Sequence, residues 1–141
     1  MSASVRPFLM FQGSAEAASR FYVELFPDGK LLELTRYAAG EAGKEGSVAR
    51  AAFSVGGQTI RCIDSPVAHA FSFTPATSLF VECDSEPLIE RLWSGLAVGG
   101  TVLMPLASYP FSRRFGWLND RFGVSWQLSL TGSAASHGES P

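Results

Sequence analysis

Ser14–Leu32, SAEAASRFYVELFPDGKLL, is written twice in this chain: moved forward 71 positions it falls on Ser85–Leu103, SEPLIERLWSGLAVGGTVL. Ser14/Ser85, Arg20/Arg91, Leu25/Leu96, Gly29/Gly100 and Leu32/Leu103 are identical. Helical core positions match in kind, as in Ala17/Leu88, Ala18/Ile89, Phe21/Leu92 and Tyr22/Trp93. Farther on, Gly57–Ile63 pairs with Gly123–Ser129 at a spacing of 66, each a turn glycine followed by a strand-like run. Two copies are too few for a solenoid. They fit a pseudo-symmetric domain with a cavity between its halves.

Working outward from the first copy, Ser14 stands where an N-cap belongs, and Glu16 sits at the positive end of the helix it would start. Ala17, Ala18, Phe21, Tyr22 and Leu25 form one apolar stripe, which predicts a helix to about Phe26, stopped by Pro27-Asp28-Gly29. Pro7–Gln12 reads as a strand before it. Lys30–Tyr37, Val48–Val55 and Gln58–Asp64 read as strands after it, the last two joined by a Gly56-Gly57 hairpin turn. The second copy keeps the order. Thr77–Glu82 is a strand, Asp84 or Ser85 caps a helix with the stripe Leu88, Ile89, Leu92, Trp93 and Leu96, and Thr101–Leu106, Phe115–Leu118 and Val124–Leu130 follow as strands.

The expected class is α+β, with two pseudo-symmetric βαβββ modules (about 5–64 and 77–130) forming a concave sheet. They make one domain over residues 1–130, followed by a disordered tail at 131–141. Each helix covers one sheet face and leaves the other, so the modules must pair within the chain or across a homodimer.

Composition narrows the partners. The 141 residues carry a net charge of −2, and Arg113-Arg114 is the one basic pair, so no cationic stripe is present for nucleic acid. No apolar run approaches the roughly 18–20 residues that span a bilayer, and Met1–Pro7 has no apolar signal core. Cys62 and Cys83 fit no C-x-x-C pattern and lie in apolar runs, which reads as two buried free thiols in a cytoplasmic protein.

Several stretches carry a family resemblance: PFLMFQG (Pro7–Gly13), FYVELFPD (Phe21–Asp28), TRY (Thr35–Tyr37), the H-x-F-x-F of His69–Phe73, and GWLNDRFGVSWQL (Gly116–Leu128). With the paired βαβββ order, the chain resembles the PhnB-like family of the vicinal oxygen chelate superfamily, which includes glyoxalase I, bleomycin-resistance proteins and extradiol dioxygenases. That family is often labelled demethylubiquinone methyltransferase-like. The resemblance implies a divalent-metal site whose ligands lie near the start of the first strand and on the last strand of each module. Here those places are about Pro7, Arg61, Thr77 and Gln127. None is a His, Cys, Asp or Glu, and an Arg repels a cation, so no metal and no other cofactor is expected. A methyl donor seated in a Rossmann unit would need a parallel sheet and a Gly-rich strand–turn–helix, which the glycines here do not form.

Strand alternation puts Thr59, Arg61 and Ile63 on one face and Ile60, Cys62 and Asp64 on the other. The repeat does the same with Ser125, Gln127 and Ser129 against Val124, Trp126 and Leu128. With the apolar set under the helices, Thr59, Arg61, Ser125 and Gln127 become the candidate ligand-binding residues. Arg61 either holds a carboxylate or phosphate with its guanidinium fork or pairs with an internal acid such as Glu33 or Glu82. His69 is the one histidine outside the tail and the sole imidazole candidate for catalysis, set against a structural or surface role; with Asp64 it would offer a metal two ligands. Trp117, Trp126, Phe111, Phe115 and Phe122 either stack a flat ligand or serve as core and dimer interface.

The reading is a small-molecule-binding protein with a non-metal cavity and a small organic, anionic ligand. The alternative is an enzyme of the same superfamily that uses His69 or a recruited metal.

Overall fold

The computed structural model describes residues 1–131. The chain forms two compact units, Met1–Ala70 and a second from Phe71 onward.

In the first unit, β1 (Phe8–Phe11), α1 (Ala15–Leu25), β2 (Lys30–Arg36), β3 (Val48–Val55) and β4 (Gln58–Asp64) follow one another. The sheet order is β1-β4-β3-β2. β1 runs parallel to β4, and the other pairs are antiparallel. The helix packs on one face: Tyr22 meets Phe53 with ring centroids 5.6 Å apart, and Ser19 Oγ lies 3.2 Å from Cys62 Sγ. Tyr22, Phe53, Ile60 and Cys62 are buried, each large apolar side chain contributing roughly 1.5–3 kcal/mol. Along β4 the expected alternation holds, with Ile60, Cys62 and Asp64 buried and Thr59, Arg61 and Ile63 partly exposed on the open face.

Ser14 holds the N-cap position of α1 as expected, but its side chain makes no capping hydrogen bond. Asp64 arrives from the end of β4 instead: its Oδ1 accepts the N–H of Gly13 at 2.7 Å and of Ala15 at 3.0 Å, and its Oδ2 accepts that of Val48 at 2.9 Å. A buried carboxylate at a helix N-terminus satisfies free first-turn donors and complements the dipole. Asp28 does similar work at the β3–β4 turn. Gly56 and Gly57 have φ of 58° and 80°, and their N–H groups donate to the two Asp28 oxygens at 2.9 and 3.1 Å.

The second unit comprises β5 (Leu79–Cys83), α2 (Glu86–Ala97), β6 (Thr101–Tyr109), β7 (Ser112–Asn119) and β8 (Ser125–Leu130), in the sheet order β5-β8-β7-β6. Again the first strand runs parallel to the last. Ile89, Leu92 and Leu96 of α2 are buried, as are Leu118, Trp126 and Leu128 of the sheet. Gly116 faces α2 because a Cβ there would overlap the Trp93 ring. Here the helix caps itself, Ser85 Oγ accepting the N–H of Leu88 at 3.3 Å. Ser85 rather than Asp84 takes that role.

β6 and β7 extend beyond the expected strands into one long hairpin. The expected tail at 131–141 lies outside the described residues from 132 onward. Thr131 itself continues the sheet, donating its N–H to Cys83 O at 2.7 Å.

Candidate functional site

Each unit has one sheet face without a helix, and the candidate residues stand on these two faces. In the first unit Phe8 is the register partner of Arg61, and in the second Phe80 is the partner of Gln127. The two stations are equivalent, Phe8 next to the expected Pro7 and Phe80 three residues beyond the expected Thr77. The first-strand positions beside Arg61 and Gln127 are both phenylalanines, each 55% exposed. A ring and a guanidinium at the first station, and a ring and an amide at the second, give neither a ligand set for a divalent ion. Among the described residues no three His, Cys, Asp or Glu side chains gather where an ion could be held.

Arg61 is partly buried between Phe8 on β1 and Ala52 on β3. Its backbone N–H is used by Pro7 O at 3.0 Å. Glu33, an acid foreseen as its partner, is held instead by Arg50 at 2.5 Å. Among the described residues Arg61 makes no ion pair, so its guanidinium is left for something else. Thr59 lies two residues back on the same face, opposite Ser54.

In the second unit Trp117 pairs with Gln127 and Asn119 with Ser125, so these four share the open face. Gln127 donates its side-chain N–H to Ser78 Oγ at 2.7 Å, and Ser125, 2% exposed, accepts the indole N–H of Trp117 at 2.8 Å. Ser125 is therefore a buried acceptor more than a lining hydroxyl. Asn119 Oδ1 is buried without a hydrogen-bond partner among the described residues. Farther along, Phe80, Tyr109 and Phe111 gather on Phe115, the Phe111–Phe115 centroids 4.9 Å apart and edge to face. Trp126 belongs to the core, 1% exposed.

His69 is half-buried, with Nε2 2.9 Å from Ser65 Oγ. Asp64, expected beside His69 as the other member of a two-ligand pair, spends Oδ1 on the N–H groups of Gly13 and Ala15 and Oδ2 on that of Val48, while His69 turns to Ser65. Burial pushes both thiols up, Cys83 to about 11, and both cysteines are free. At neutral pH they are protonated and unsuited to nucleophilic work.

Sequence reasoning passed over Asp120. Its Oδ1 accepts the N–H groups of Phe122 at 2.8 Å and Val124 at 3.1 Å, and its Oδ2 accepts the Trp126 indole N–H at 2.9 Å. The signal was present in Asp120-Arg-Phe-Gly123, an Asx turn closed by a glycine with φ of 91°. The central Asp of GWLNDRFGVSWQL is thereby explained by folding.

Comparison with known proteins agrees with this architecture. A family model described as 3-demethylubiquinone-9 3-methyltransferase matches residues 3–129. A PhnB protein from Bacillus cereus carrying the same methyltransferase label is 50% identical, with a TM-score of 0.89 over 92% of this chain and 100% of that one. A Pseudomonas aeruginosa protein is 28% identical, with a TM-score of 0.81 over 92% of this chain and 98% of that one. A glyoxylase/bleomycin resistance protein/dioxygenase domain from Frankia, 18% identical over 98% of this chain and 99% of that one, shares the fold with a TM-score of 0.68. No curated protein matches.

Proposed function

Since the chain belongs to the PhnB-like family, whose model carries the 3-demethylubiquinone-9 3-methyltransferase description, on the glyoxalase/bleomycin-resistance fold, we propose that it binds a small anionic organic molecule through Arg61. One observation carries this reading. Arg61 is a partly buried cation on an open sheet face, and Glu33, the acid across the sheet, is committed to Arg50. A guanidinium held in a partly desolvated place without a carboxylate favours an anionic visitor, and its planar fork suits a carboxylate or phosphate. Thr59 adds a hydroxyl on the same face, whereas on the second unit Gln127 is engaged with Ser78 and Ser125 with Trp117.

The methyltransferase label rests on the family's description and not on a doubly wound sheet. Of the strand pairings, β1–β4 and β5–β8 are parallel and the rest antiparallel, which is not the doubly wound sheet that seats a nucleotide-type donor at its carboxyl ends. The reading includes a homodimer in the cytoplasm. Exposed Phe80, Phe111 and Val102 support the first, and two free thiols support the second. No described helix is long and apolar enough to cross a membrane.

Thermal-shift screening of wild type and Arg61→Met against carboxylates, phosphates and amines tests the proposal. A charge-assisted contact contributes roughly 1.5–3 kcal/mol, so anions should bind wild type about ten- to a hundredfold better than the variant. Equal shifts in both proteins, or a preference for amines, would overturn it. Light scattering should give about twice the monomer mass.

A further inference from the structure

The open face of the first unit carries a second uncommitted cation. Lys30 pairs with Ser54, and Ser54 with Thr59, giving one row across β2, β3 and β4. Phe53 and Ile60, the neighbours of Ser54 and Thr59, are buried on the α1 side, so this row looks the other way. Arg61 lies two residues beyond Thr59 on the same face. Strand geometry puts the Lys30 and Thr59 Cα atoms about 10 Å apart and Arg61 about 7 Å farther along β4. Both long side chains can therefore lean toward the two hydroxyls between them. Lys30 is exposed and, like Arg61, makes no ion pair among the described residues. Arg50, on the same face, is held by Glu33.

We infer that Lys30, Ser54, Thr59 and Arg61 form one site for a dianionic head group of the phosphate-monoester class, with the ligand's apolar part lying along Phe8. This deepens the proposal for Arg61 and rests on it. Two positive charges favour a dianion over a monoanion. A phosphate monoester also offers three terminal oxygens to two hydroxyls and two cations, where a carboxylate offers two. Phe8 flanks Arg61 on the side away from β3, with its ring 55% exposed.

The test uses two probes with the same ring, phenyl phosphate and benzoate, titrated by calorimetry at a pH above the second phosphate ionisation. Wild type should bind phenyl phosphate roughly tenfold more tightly than benzoate. Lys30→Met, a change at an exposed position that circular dichroism should show folded, should erase that advantage by weakening phenyl phosphate far more than benzoate. Arg61→Met should weaken both probes. Backbone amide shifts on phenyl phosphate addition should centre on Ser54 and Thr59. Equal wild-type affinity for the probes, or phenyl phosphate binding unaffected by Lys30→Met, would overturn the two-cation site while leaving Arg61 as the anion holder. Binding unaffected by Arg61→Met would remove both proposals.

Discussion

Trp126 donates its indole N–H to Asp120 at 2.9 Å, tying the centre of the second unit's core to the turn that precedes it. The same carboxylate organises that turn through Phe122 and Val124. One side chain thus joins turn geometry to core packing.

Asp120→Asn keeps the shape but replaces one acceptor oxygen with an NH2 group, which must then face either the indole N–H or the turn N–H groups. The expected loss is roughly 1–3 kcal/mol, seen as a lower urea midpoint with little change in slope. Asp120→Ala should cost more. An unchanged midpoint for both variants would show that the turn holds without the carboxylate.

At the first helix the residues trade roles. Asp64→Ala should destabilise by roughly 2–4 kcal/mol, since it leaves the buried N–H groups of Ala15 and Val48 unsatisfied. Ser14→Ala should fall within about 0.5 kcal/mol of wild type. Chemical denaturation of the two variants checks the contrast, and the reverse order would restore Ser14 as the cap.

Cys83 supplies a pH dependence. Its thiol moves from 9.0 up to about 11, first because burial penalises the thiolate and then because Asp84 lies nearby. With the folded value raised, the stabilising contribution is complete below the unfolded value and is lost as pH rises toward about 11. The urea midpoint should therefore fall between pH 9 and 11, with a shallower fall in Cys83→Ala. An aromatic disulfide reagent at pH 8 should label both thiols promptly in urea and slowly in the native protein.

Much of the fold was legible because the repeat and the alternation are local signals. β3 and β4 occupy the predicted residues, Val48–Val55 and Gln58–Asp64. The expected strands Thr101–Leu106 and Phe115–Leu118 stop short of the β6–β7 hairpin, in which β6 runs on to Tyr109 with Pro105 inside it. β6 is an edge strand of its sheet, and an edge tolerates a proline that a central strand would reject. Phe80, beyond the expected neighbourhood of Thr77, is the register partner of Gln127. Phe11 and Cys83 hold equivalent places, accepting from Ser65 and Thr131, so the first strands are offset by one residue more than the helices. Register is set by pairing with a distant strand, and no helix anchor reports it. The side of Arg61 could be read from alternation. Its lack of an ion-pair partner among the described residues could not, because Glu33 meets Arg50 only once β2 and β3 have paired.

The two helix caps give the duplicated modules different assembly orders. Ser85 and Leu88 are three residues apart, so the start of α2 can be secured while the rest of its module is still unstructured. The acceptor that closes α1 lies 49 residues downstream of Ala15, and its hydrogen bond waits for β4 to dock. Long loop closure precedes that contact, which makes α1 the slower helix to settle. Residues around Ser85 should then show transition-state structure that Gly13 and Ala15 lack. φ-value analysis at Ser85 and Ala15 checks that difference, and equal values would remove it.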